Sequence, residues 1–278
     1  MFAHIDPKVR AWLLEQGKLI RIDGRGNRLA NTAADAGTPE GMQNVALNIL
    51  GPIPLPVRLD DRELDVQWYA VVRSTELAKV DELAQALREQ GGQRLFSMLA
   101  SYMAVNSVLM IGDPANSPSP LVRVHSSCLS GDVFGSQRCE CGPQFKSALN
   151  RIADDPSGGM LIYMSGHEGR GIGLWAKAVT YLLQDSGEDT YQANRSLGLP
   201  DDSRDFSDAG AMLLHFLGDR PFRLLTNNPK KIADLGDLGL TNITPEKHVV
   251  GVSDWNRRYL AAKRDWGHKL APSDLEPE

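Results

Sequence analysis

The pattern of hydrophobic and polar residues divides the chain into an N-terminal β-rich part and a longer part in which strands alternate with helices. Residues 45–72 alternate apolar and polar positions around Asp60 and Asp61, which predicts two strands joined by a turn. Prolines at 52, 54 and 56 predict that the first of these strands starts at a sheet edge, because proline cannot donate to a ladder. Buried-type strands are predicted at 105–111, 121–124, 159–164 and 222–225.

Apolar residues at helical spacing predict helices between and around these strands. They cover 6–16, 75–90, 144–153, 207–217 and 256–270, with further helices ending at Leu183 and near Gly236 or Gly239, and an apolar segment at 94–103. Residues 18–42 and 184–206 are predicted to be loops; the second is expected to be a lid or site loop that can include a helical turn at 192–197.

Strands alternate with helices from about residue 105 onward, which favours an α/β fold made of a layered sheet with flanking helices. We expect an N-terminal extension with a β-hairpin and a helical insertion over residues 1–104, a main domain over 105–270 and a polar tail over 271–278.

Composition narrows the class of protein. The 278 residues are 42% hydrophobic and 23% charged, with a formal net charge of −5, so no general basic field attracts nucleic acid. No basic and apolar leader begins the chain, and no apolar run reaches the roughly 18 residues of a membrane span. Three cysteines cannot all pair, which favours a reducing compartment. We therefore expect a cytoplasmic protein without membrane or nucleic-acid partners.

All three cysteines lie between Arg123 and Gln144, among arginines, serines and glycines that are poor core formers. Three thiolates and one water form an open tetrahedral zinc site, the pattern of a catalytic zinc ion. Cys128, Cys139 and Cys141 are therefore predicted metal ligands. The alternative is that they are small buried hydrophobic residues.

Two further strand–loop–helix junctions carry polar residues. A glycine-rich turn at 165–174 includes Glu168 and Arg170, and the junction after 222–225 contains Thr226 and Lys231. Helix N-termini at such junctions bind anions, although close packing or a solvated helix cap would also explain each junction separately. A thiolate-bound zinc ion beside an anion cleft predicts metal-assisted hydrolysis of a phosphorylated substrate.

Motifs over about residues 105–270 resemble the GTP cyclohydrolase II family. The resemblance is carried, in order, by RVHS at 123, C128 with CEC at 139, HEGRGIGL at 167, QDSGEDT at 184, AN at 193, LG at 197, DSRDF at 202 and LTNNPKK at 225. The family implies a zinc enzyme that opens the imidazole ring of GTP and releases C8 as formate together with pyrophosphate. The implied product is 2,5-diamino-6-ribosylamino-4(3H)-pyrimidinone 5′-phosphate, at the start of riboflavin synthesis. Mg²⁺ with the triphosphate and a homodimer are implied as well.

The resemblance also implies roles for individual residues. Tyr181 matches a tyrosine beside the C8 chemistry, Asp202 matches a proton acceptor, and Arg204 matches an arginine at the α-phosphate. Because an arginine keeps its proton, stabilising phosphate charge suits Arg204 better than nucleophilic attack. The positions that match nucleotide contacts are Arg123, Val124, His125, Ser126, Ser127, Gln144, Glu168, Gly169, Arg170, Thr190, Thr226 and Lys231. Glu168 suits the guanine N1–H and 2-amino group, and Thr226 and Lys231 suit the phosphates.

Two stretches depart from the usual family pattern. Ser127 stands where the family usually has glutamate, and Gly166 and His167 stand where it has arginine and glutamine. Because both changes fall in the nucleotide site, two alternatives stay open. One is a divergent paralogue that acts on another nucleotide or in uracil catabolism, and the other is a non-catalytic nucleotide-binding protein.

Overall fold

A computed structural model describes residues 7–29, 46–80 and 103–276. Its centre is one eight-stranded mixed sheet with strand order β1-β2-β3-β4-β6-β5-β7-β8. The strands are β1 (Leu19–Ile22), β2 (Leu47–Leu59), β3 (Arg62–Arg73), β4 (Asn106–Ile111), β5 (Leu121–Ser126), β6 (Gly159–Met164), β7 (Phe222–Leu225) and β8 (Ile243–Glu246). From β1 to β6 the neighbours are antiparallel, whereas β6, β5, β7 and β8 are parallel. The predicted layered α/β fold is confirmed.

The helices fill the connections between strands. They are α1 (Pro7–Glu15), α2 (Cys141–Asp154), α3 (Gly173–Asp185), α4 (Thr190–Ser196), α5 (Ser207–Leu217), α6 (Pro229–Asp237) and α7 (Arg257–Asp265). Residues 74–80 are also helical. Within the described ranges, no helix is both long enough and apolar enough to cross a membrane.

Apolar side chains on the two faces of the sheet form two cores. Met160, Ile162 and Met164 of β6 face the larger core, which α5 and α6 cover, whereas Leu161 faces α2. This alternation with a period of two follows from the pleat of a strand. On β5 the same alternation places Val122 and Val124 in the larger core. Arg123 and His125 therefore lie on the face that carries α2, and the site is built on that face.

The N-terminal strands belong to the same sheet. Strand β3 pairs with β4 from Gln67↔Met110 to Val71↔Asn106. Strand β1 pairs with β2 only over Leu47–Leu50, so the proline-bearing part of β2 pairs with β3 alone among the described residues. The prolines therefore have the unpaired side that they require, but the prediction that this strand starts at the sheet edge is wrong, because β1 covers Leu47–Leu50. The division of the chain at residue 104 stays a prediction.

Most predicted elements are confirmed, and three further predictions are wrong in part. Residues 19–22 form a strand rather than a loop, because they pair with β2 and three of the four are buried. Strand β8 was not predicted, because its four residues have an intermediate or exposed burial pattern and lack an apolar run. The last helix ends at Asp265, five residues before its predicted end. The predicted helix over 81–90 and the segment over 94–102 lie outside the described residues.

Candidate active site

The carboxyl ends of the parallel strands β5, β6, β7 and β8 meet at one edge of the sheet, where the loops that follow them form a cleft. Ligand sites of α/β sheets gather at this edge. The cleft encloses about 1240 Å³ of space, counting the part that is open to solvent. Most of the predicted site residues line it, namely Arg123, His125, Ser126, Ser127, Cys128, Cys139, Cys141, Gln144, Gly169, Arg170, Tyr181, Thr190, Arg204, Thr226 and Lys231.

The three cysteines converge although 13 positions of sequence separate the first from the last. Cys128 follows β5, Cys141 is the first residue of α2, and a π-helical turn at Leu129–Val133 lies between them. The three Sγ atoms lie within 4.8 Å of one another, and those of Cys128 and Cys139 are 3.6 Å apart. Two thiolates on a tetrahedral zinc ion with Zn–S bonds of about 2.3 Å would be about 3.8 Å apart. The donor set and its spacing therefore fit a zinc ion held by three thiolates.

Gly131 allows the backbone of the π-helical turn to approach the sulfurs. A Cβ at this position would lie 2.9 Å from Cys139 Sγ and 3.1 Å from Cys128 Sγ. These distances are shorter than van der Waals contact, so a side chain at 131 would displace the thiols. The absence of a side chain is thus a requirement of the cysteine cluster.

The protonation of the thiols is uneven. Hydrogen bonds from the other two thiols, together with the nearby Lys177 ammonium, lower the pKa of Cys128. The Cys128 sulfur in turn raises the pKa of Cys139 to about 12, and it also raises that of Cys141. Without a cation the cluster therefore favours a single thiolate. A divalent metal needs all three deprotonated, so its binding releases protons.

Lys177, which the sequence analysis did not identify, connects the cysteines to Glu168. Its Nζ lies 3.1 Å from Cys128 Sγ and donates to Glu168 Oε1 at 2.6 Å. Burial opposes the charge of Lys177, but the Glu168 hydrogen bond and the Cys128 thiolate outweigh it and raise the pKa of this lysine. The sequence did contain a signal for Lys177 as a site residue: it lies four positions before Tyr181 in α3, and residues four apart share a helix face.

Both carboxylate oxygens of Glu168 accept hydrogen bonds from the protein. Oε1 accepts from Lys177, and Oε2 accepts from the backbone N–H of Leu129 at 2.6 Å. The carboxylate is not among the groups that line the cleft. Its observed contacts therefore join the turn after β6 to the turn that carries the cysteines.

Gly169 and Arg170 both adopt left-handed backbone conformations, with φ of 60° and 63°. Such a conformation is unusual for an arginine and marks a strained turn. The Arg170 guanidinium stacks on the Tyr191 ring at 3.9 Å, and its Nη2 is buried without a protein partner within the described residues. This unused donor lies in the wall of the cleft.

The basic side chains of Arg123, Arg204, Lys231 and Lys263 lie close together in the part of the cleft next to β5 and β7. Arg123 donates to the carbonyl of Leu225 and to Gln144 Oε1, both at 2.7 Å. Lys231 Nζ donates to the carbonyl of Val124 at 2.7 Å. Burial, together with the neighbouring charges of Arg123, Arg204 and Lys263, strongly lowers the pKa of Lys231. This concentration of positive charge is suited to an anion.

Asp202 and Arg204 form a two-point ion pair. Arg204 Nε and Nη2 donate to the two carboxylate oxygens of Asp202 at 2.9 and 2.6 Å. Burial opposes ionisation of Asp202, but Arg204 keeps the pKa of the acid below its usual value. Both residues come from the predicted site loop, in which Asp189 caps α4 at its amino end.

Tyr181 lies beside the cysteine cluster. Its hydroxyl is 3.1 Å from Ser130 Oγ, and the Arg138 guanidinium lies 4.6 Å from its ring centre. Burial raises the pKa of Tyr181, so the phenol keeps its proton at neutral pH.

Of the three residues that depart from the family pattern, Ser127 and His167 have defined side-chain partners. Ser127 Oγ donates to the carbonyl of Ser165 at 2.9 Å. His167 Nε2 lies 2.9 Å from the carbonyl of Asp205, and its Nδ1 lies 3.2 Å from Ser126 Oγ. Because a carbonyl only accepts, Nε2 carries the proton. Burial lowers the pKa of His167 to about 4, so the ring is neutral at pH 7.

The other predicted contact residues differ in their exposure to the cleft. His125 forms a hydrogen bond with Asp132 and stacks on Tyr163, and Thr226 Oγ1 accepts from the Asn228 backbone. Val124 has its side chain in the larger core and contributes its carbonyl oxygen. Of the predicted site residues, Val124, Glu168 and Asp202 are not part of the lining.

Residues of α7 and the segment after it complete the cleft. Lys263 pairs with the buried Glu140, and Tyr259 and His268 line the cavity. The amphipathic pattern over 256–270 predicted a helix and no function. Its period indicated only a packed helix, so nothing in the sequence marked these side chains.

Comparison with known proteins identifies the family. The model of the family described as GTP cyclohydrolase II matches residues 99–245. Three curated proteins named "Riboflavin biosynthesis protein RibBA" are similar to this chain. The protein of Mycobacteroides abscessus is 53% identical over 159 residues, which are 57% of this chain and 38% of that protein. The Nocardia farcinica protein is 51% identical over 167 residues (60% and 40%), and the Salinispora arenicola protein 49% over 179 residues (64% and 42%).

The chain thus spans only about two fifths of the length of these relatives. The family model covers more than half of the chain, from before β4 to within β8. It includes the three cysteines, both loops of the cleft and the junction between β7 and α6. The chain belongs to the GTP cyclohydrolase II family.

Proposed function

We propose that the chain is a zinc-dependent hydrolase that opens the imidazole ring of GTP. Hydrolysis of both bonds from C8 to the ring nitrogens would release C8 as formate, and hydrolysis between the α- and β-phosphates would release pyrophosphate. The product would be 2,5-diamino-6-ribosylamino-4(3H)-pyrimidinone 5′-phosphate, in the first step of riboflavin synthesis. The observation that carries this proposal is a cluster of three thiols in the same cleft as the basic side chains of Arg123, Arg204, Lys231 and Lys263.

Cys128, Cys139 and Cys141 are the proposed zinc ligands. A bound zinc ion would supply Lewis-acid activation of water for attack on C8. The role of the protein itself is to hold the three thiols together and to position the nucleotide. Lys177 supports the first task, because its ammonium group contacts the Cys128 sulfur and stabilises negative charge there.

Tyr181 is the proposed proton donor near the ring. Its raised pKa keeps the phenol protonated, and its hydrogen bond to Ser130 Oγ fixes the hydroxyl beside the turn that carries Cys128. A protonated phenol can donate to a ring nitrogen when a C8–N bond breaks.

Asp202 and Arg204 are proposed to act at the phosphates. Asp202 stays ionised and is the proposed proton acceptor. Arg204 keeps its charge, because the pKa of its guanidinium is raised above an ordinary value that already exceeds about 12. Its role is therefore to stabilise charge at the α-phosphate rather than to attack it.

The remaining contacts are proposed to hold the nucleotide. Lys231 and Thr226, at the amino end of α6, would bind the phosphates together with Arg123, and Mg²⁺ would accompany the triphosphate. Arg170 would contribute its Nη2, which has no hydrogen-bond partner among the residues that the structure describes. Val124, His125, Ser126, Ser127, Gln144, Glu168, Gly169 and Thr190 are proposed as the rest of the nucleotide site.

We further propose a cytoplasmic homodimer that does not bind nucleic acid. The net charge of −5 supports the last point, and the family supports the dimer. Residues 105–270 are the proposed catalytic domain, 1–104 an extension and 271–278 a tail. The name of the curated relatives supports a place in riboflavin synthesis.

The proposed activity is tested with the zinc-loaded protein, GTP and Mg²⁺. Formate and pyrophosphate should form together, and Cys139→Ser should lose both zinc and activity. A Cys139→Ser protein that retains a full equivalent of zinc would refute the ligand assignment. Absence of formate at high protein concentration would refute the reaction.

A second candidate is a paralogue that uses another nucleotide, including one that acts in uracil catabolism. The position of Glu168 favours it, because both carboxylate oxygens already accept hydrogen bonds within the protein and the residue does not line the cleft where a guanine edge would lie. Ser127 and His167, which replace the usual residues of the family, lie in the same region. A panel of purine and pyrimidine nucleotides distinguishes the two, since the paralogue predicts turnover of another nucleotide and none of GTP.

A further inference from the structure

Arg73, at the end of β3, lies outside the part of the chain that the family model matches. Its guanidinium nevertheless reaches the loop that carries Asp202 and Arg204. Nε donates to Asp208 Oδ2 at 2.7 Å, and Nη2 donates to Asp205 Oδ2 at 3.1 Å. One side chain of the N-terminal strands therefore contacts two acids that follow Arg204 within four residues.

The contact with Asp205 continues into the cleft. The Asp205 carbonyl accepts from His167 Nε2 at 2.9 Å, and His167 Nδ1 is 3.2 Å from Ser126 Oγ. Since Nε2 carries the proton, Nδ1 accepts from the Ser126 hydroxyl. Ser126 Oγ in turn accepts from Arg204 Nη1 at 3.4 Å. A chain of polar contacts thus joins Arg73 to the guanidinium of Arg204.

The contact with Asp208 continues into the turn after β6. Asp208 Oδ2 also accepts from Asn106 Nδ2 at 3.2 Å, and Asn106 Oδ1 accepts from the Ser165 backbone N–H at 3.0 Å. The two loops of the site are joined directly as well, because Ser203 N–H donates to the Arg170 carbonyl at 3.0 Å. Arg73 is therefore positioned to fix both loops to the sheet.

We propose that Arg73 is a positioning residue for Arg204, acting through Asp205, Asp208 and His167, and that the N-terminal strands thereby take part in the site. This inference rests on the proposed function in so far as it assigns Arg204 to the phosphates. The side chain of Asp208 is only 11% exposed, whereas that of Arg73 is 40% exposed. The buried acid therefore depends on the arginine for compensation of its charge.

The test compares three variants of the full zinc-loaded chain. Arg73→Gln removes the charge and the two-point contact, while Arg73→Lys keeps the charge but cannot reach both acids with a fixed fork. Arg62→Gln is the matched control, because Arg62 lies on the same strand and pairs with Asp154 at 2.8 Å, away from the cleft. Zinc content and thermal melting show whether each variant is folded.

Two readouts are measured. Hydrogen–deuterium exchange follows the backbone amides of residues 201–206, and steady-state kinetics with GTP separates kcat from KM. Arg73→Gln should exchange faster in this loop and should lose about 10- to 100-fold in kcat with little change in KM, because misplacing a catalytic group by about 1 Å has an effect of this size. Arg73→Lys should recover part of both losses, and Arg62→Gln should match the wild type.

Unchanged loop exchange in Arg73→Gln would overturn the inference whatever the activity. Faster exchange throughout the chain, with kcat falling only in proportion to the folded zinc-loaded fraction, would also overturn it, since Arg73 would then be a general stabiliser. If exchange in Arg73→Gln were faster only in the loop, and the wild-type protein formed no formate from GTP, the positioning role would be supported and the proposed function refuted.

Discussion

The Lys177–Glu168 pair offers a quantitative test of how the cleft is held together. Lys177→Met keeps most of the length of the side chain and removes its charge. The two side chains are only 11% and 13% exposed, and Nζ and Oε1 are 2.6 Å apart. After the substitution Glu168 would keep the Leu129 N–H as a partner but would lose its counter-charge.

Removing one partner of a buried ion pair costs about 3–5 kcal/mol, because the other charge stays buried without compensation. We expect about 3 kcal/mol here, at the low end, since Glu168 retains one strong hydrogen bond. The second loss is the contact between Nζ and Cys128 Sγ. Removing an outer partner of a metal ligand weakens metal affinity by about 10- to 100-fold.

The assay is denaturant unfolding at saturating zinc, together with zinc affinity from chelator competition. Lys177→Met, Glu168→Gln and the double variant form a mutant cycle. The double variant should recover most of the lost free energy of unfolding, because neither of the two positions then carries a charge without its partner. The coupling energy between the two sites should be about 2–3 kcal/mol.

Lys146→Met is the control for the loss of an ordinary lysine. Lys146 pairs with Asp60 at 2.8 Å, but both side chains are more than half exposed. Its loss should cost less than about 1 kcal/mol. The reasoning would be wrong if Lys177→Met cost no more than this control, or if the double variant were as unstable as the single one.

Three more predictions follow from charge and packing in the cleft. The pKa of Lys231 is strongly lowered in the protein, and a bound anion would raise it again. GTP binding at alkaline pH should therefore take up a proton, which calorimetry in buffers of different ionisation enthalpy detects. Lys231→Arg should abolish this proton uptake. His167 has a pKa of about 4 in the folded protein against 6.5 when unfolded, so the unfolded chain binds more protons between these values and stability falls as pH drops through this window. At about 1.4 kcal/mol per pKa unit, His167→Gln should reduce the loss of unfolding free energy between pH 7 and pH 5 by about 2 kcal/mol, and an unchanged loss would contradict the assignment. Gly131→Ala should lose zinc, since its Cβ would lie 2.9 Å from Cys139 Sγ, whereas Gly236→Ala in α6, where a Cβ meets nothing within 4 Å, should keep it.

The sequence was informative where one local pattern determines one local structure. The apolar run of β6 and the helix at Ser207–Leu217 were predicted with their observed bounds, because burial repeats at a fixed period in both. The cysteine cluster was predicted because three thiol side chains in a polar segment have few other uses. Strand β8 could not be predicted, because tertiary pairing with β7 forms it without an apolar pattern.

Contacts across the fold could not be predicted from the chain. Nothing in the sequence near Arg73 indicates that it lies against Asp205 and Asp208, because 132 and 135 positions separate these residues. Lys263 and Glu140 are likewise 123 positions apart. Residues with the expected chemistry could be identified from the sequence, whereas these contacts could not, since the order of strands in the sheet brings their partners together.

The most direct test of the proposed reaction uses GTP labelled with ¹³C at C8 and the zinc-loaded protein. NMR should show the label leaving as formate, with one pyrophosphate and one aminopyrimidine nucleotide formed per formate. A label that remains in a nucleotide, or pyrophosphate released without formate, would contradict the proposed ring opening.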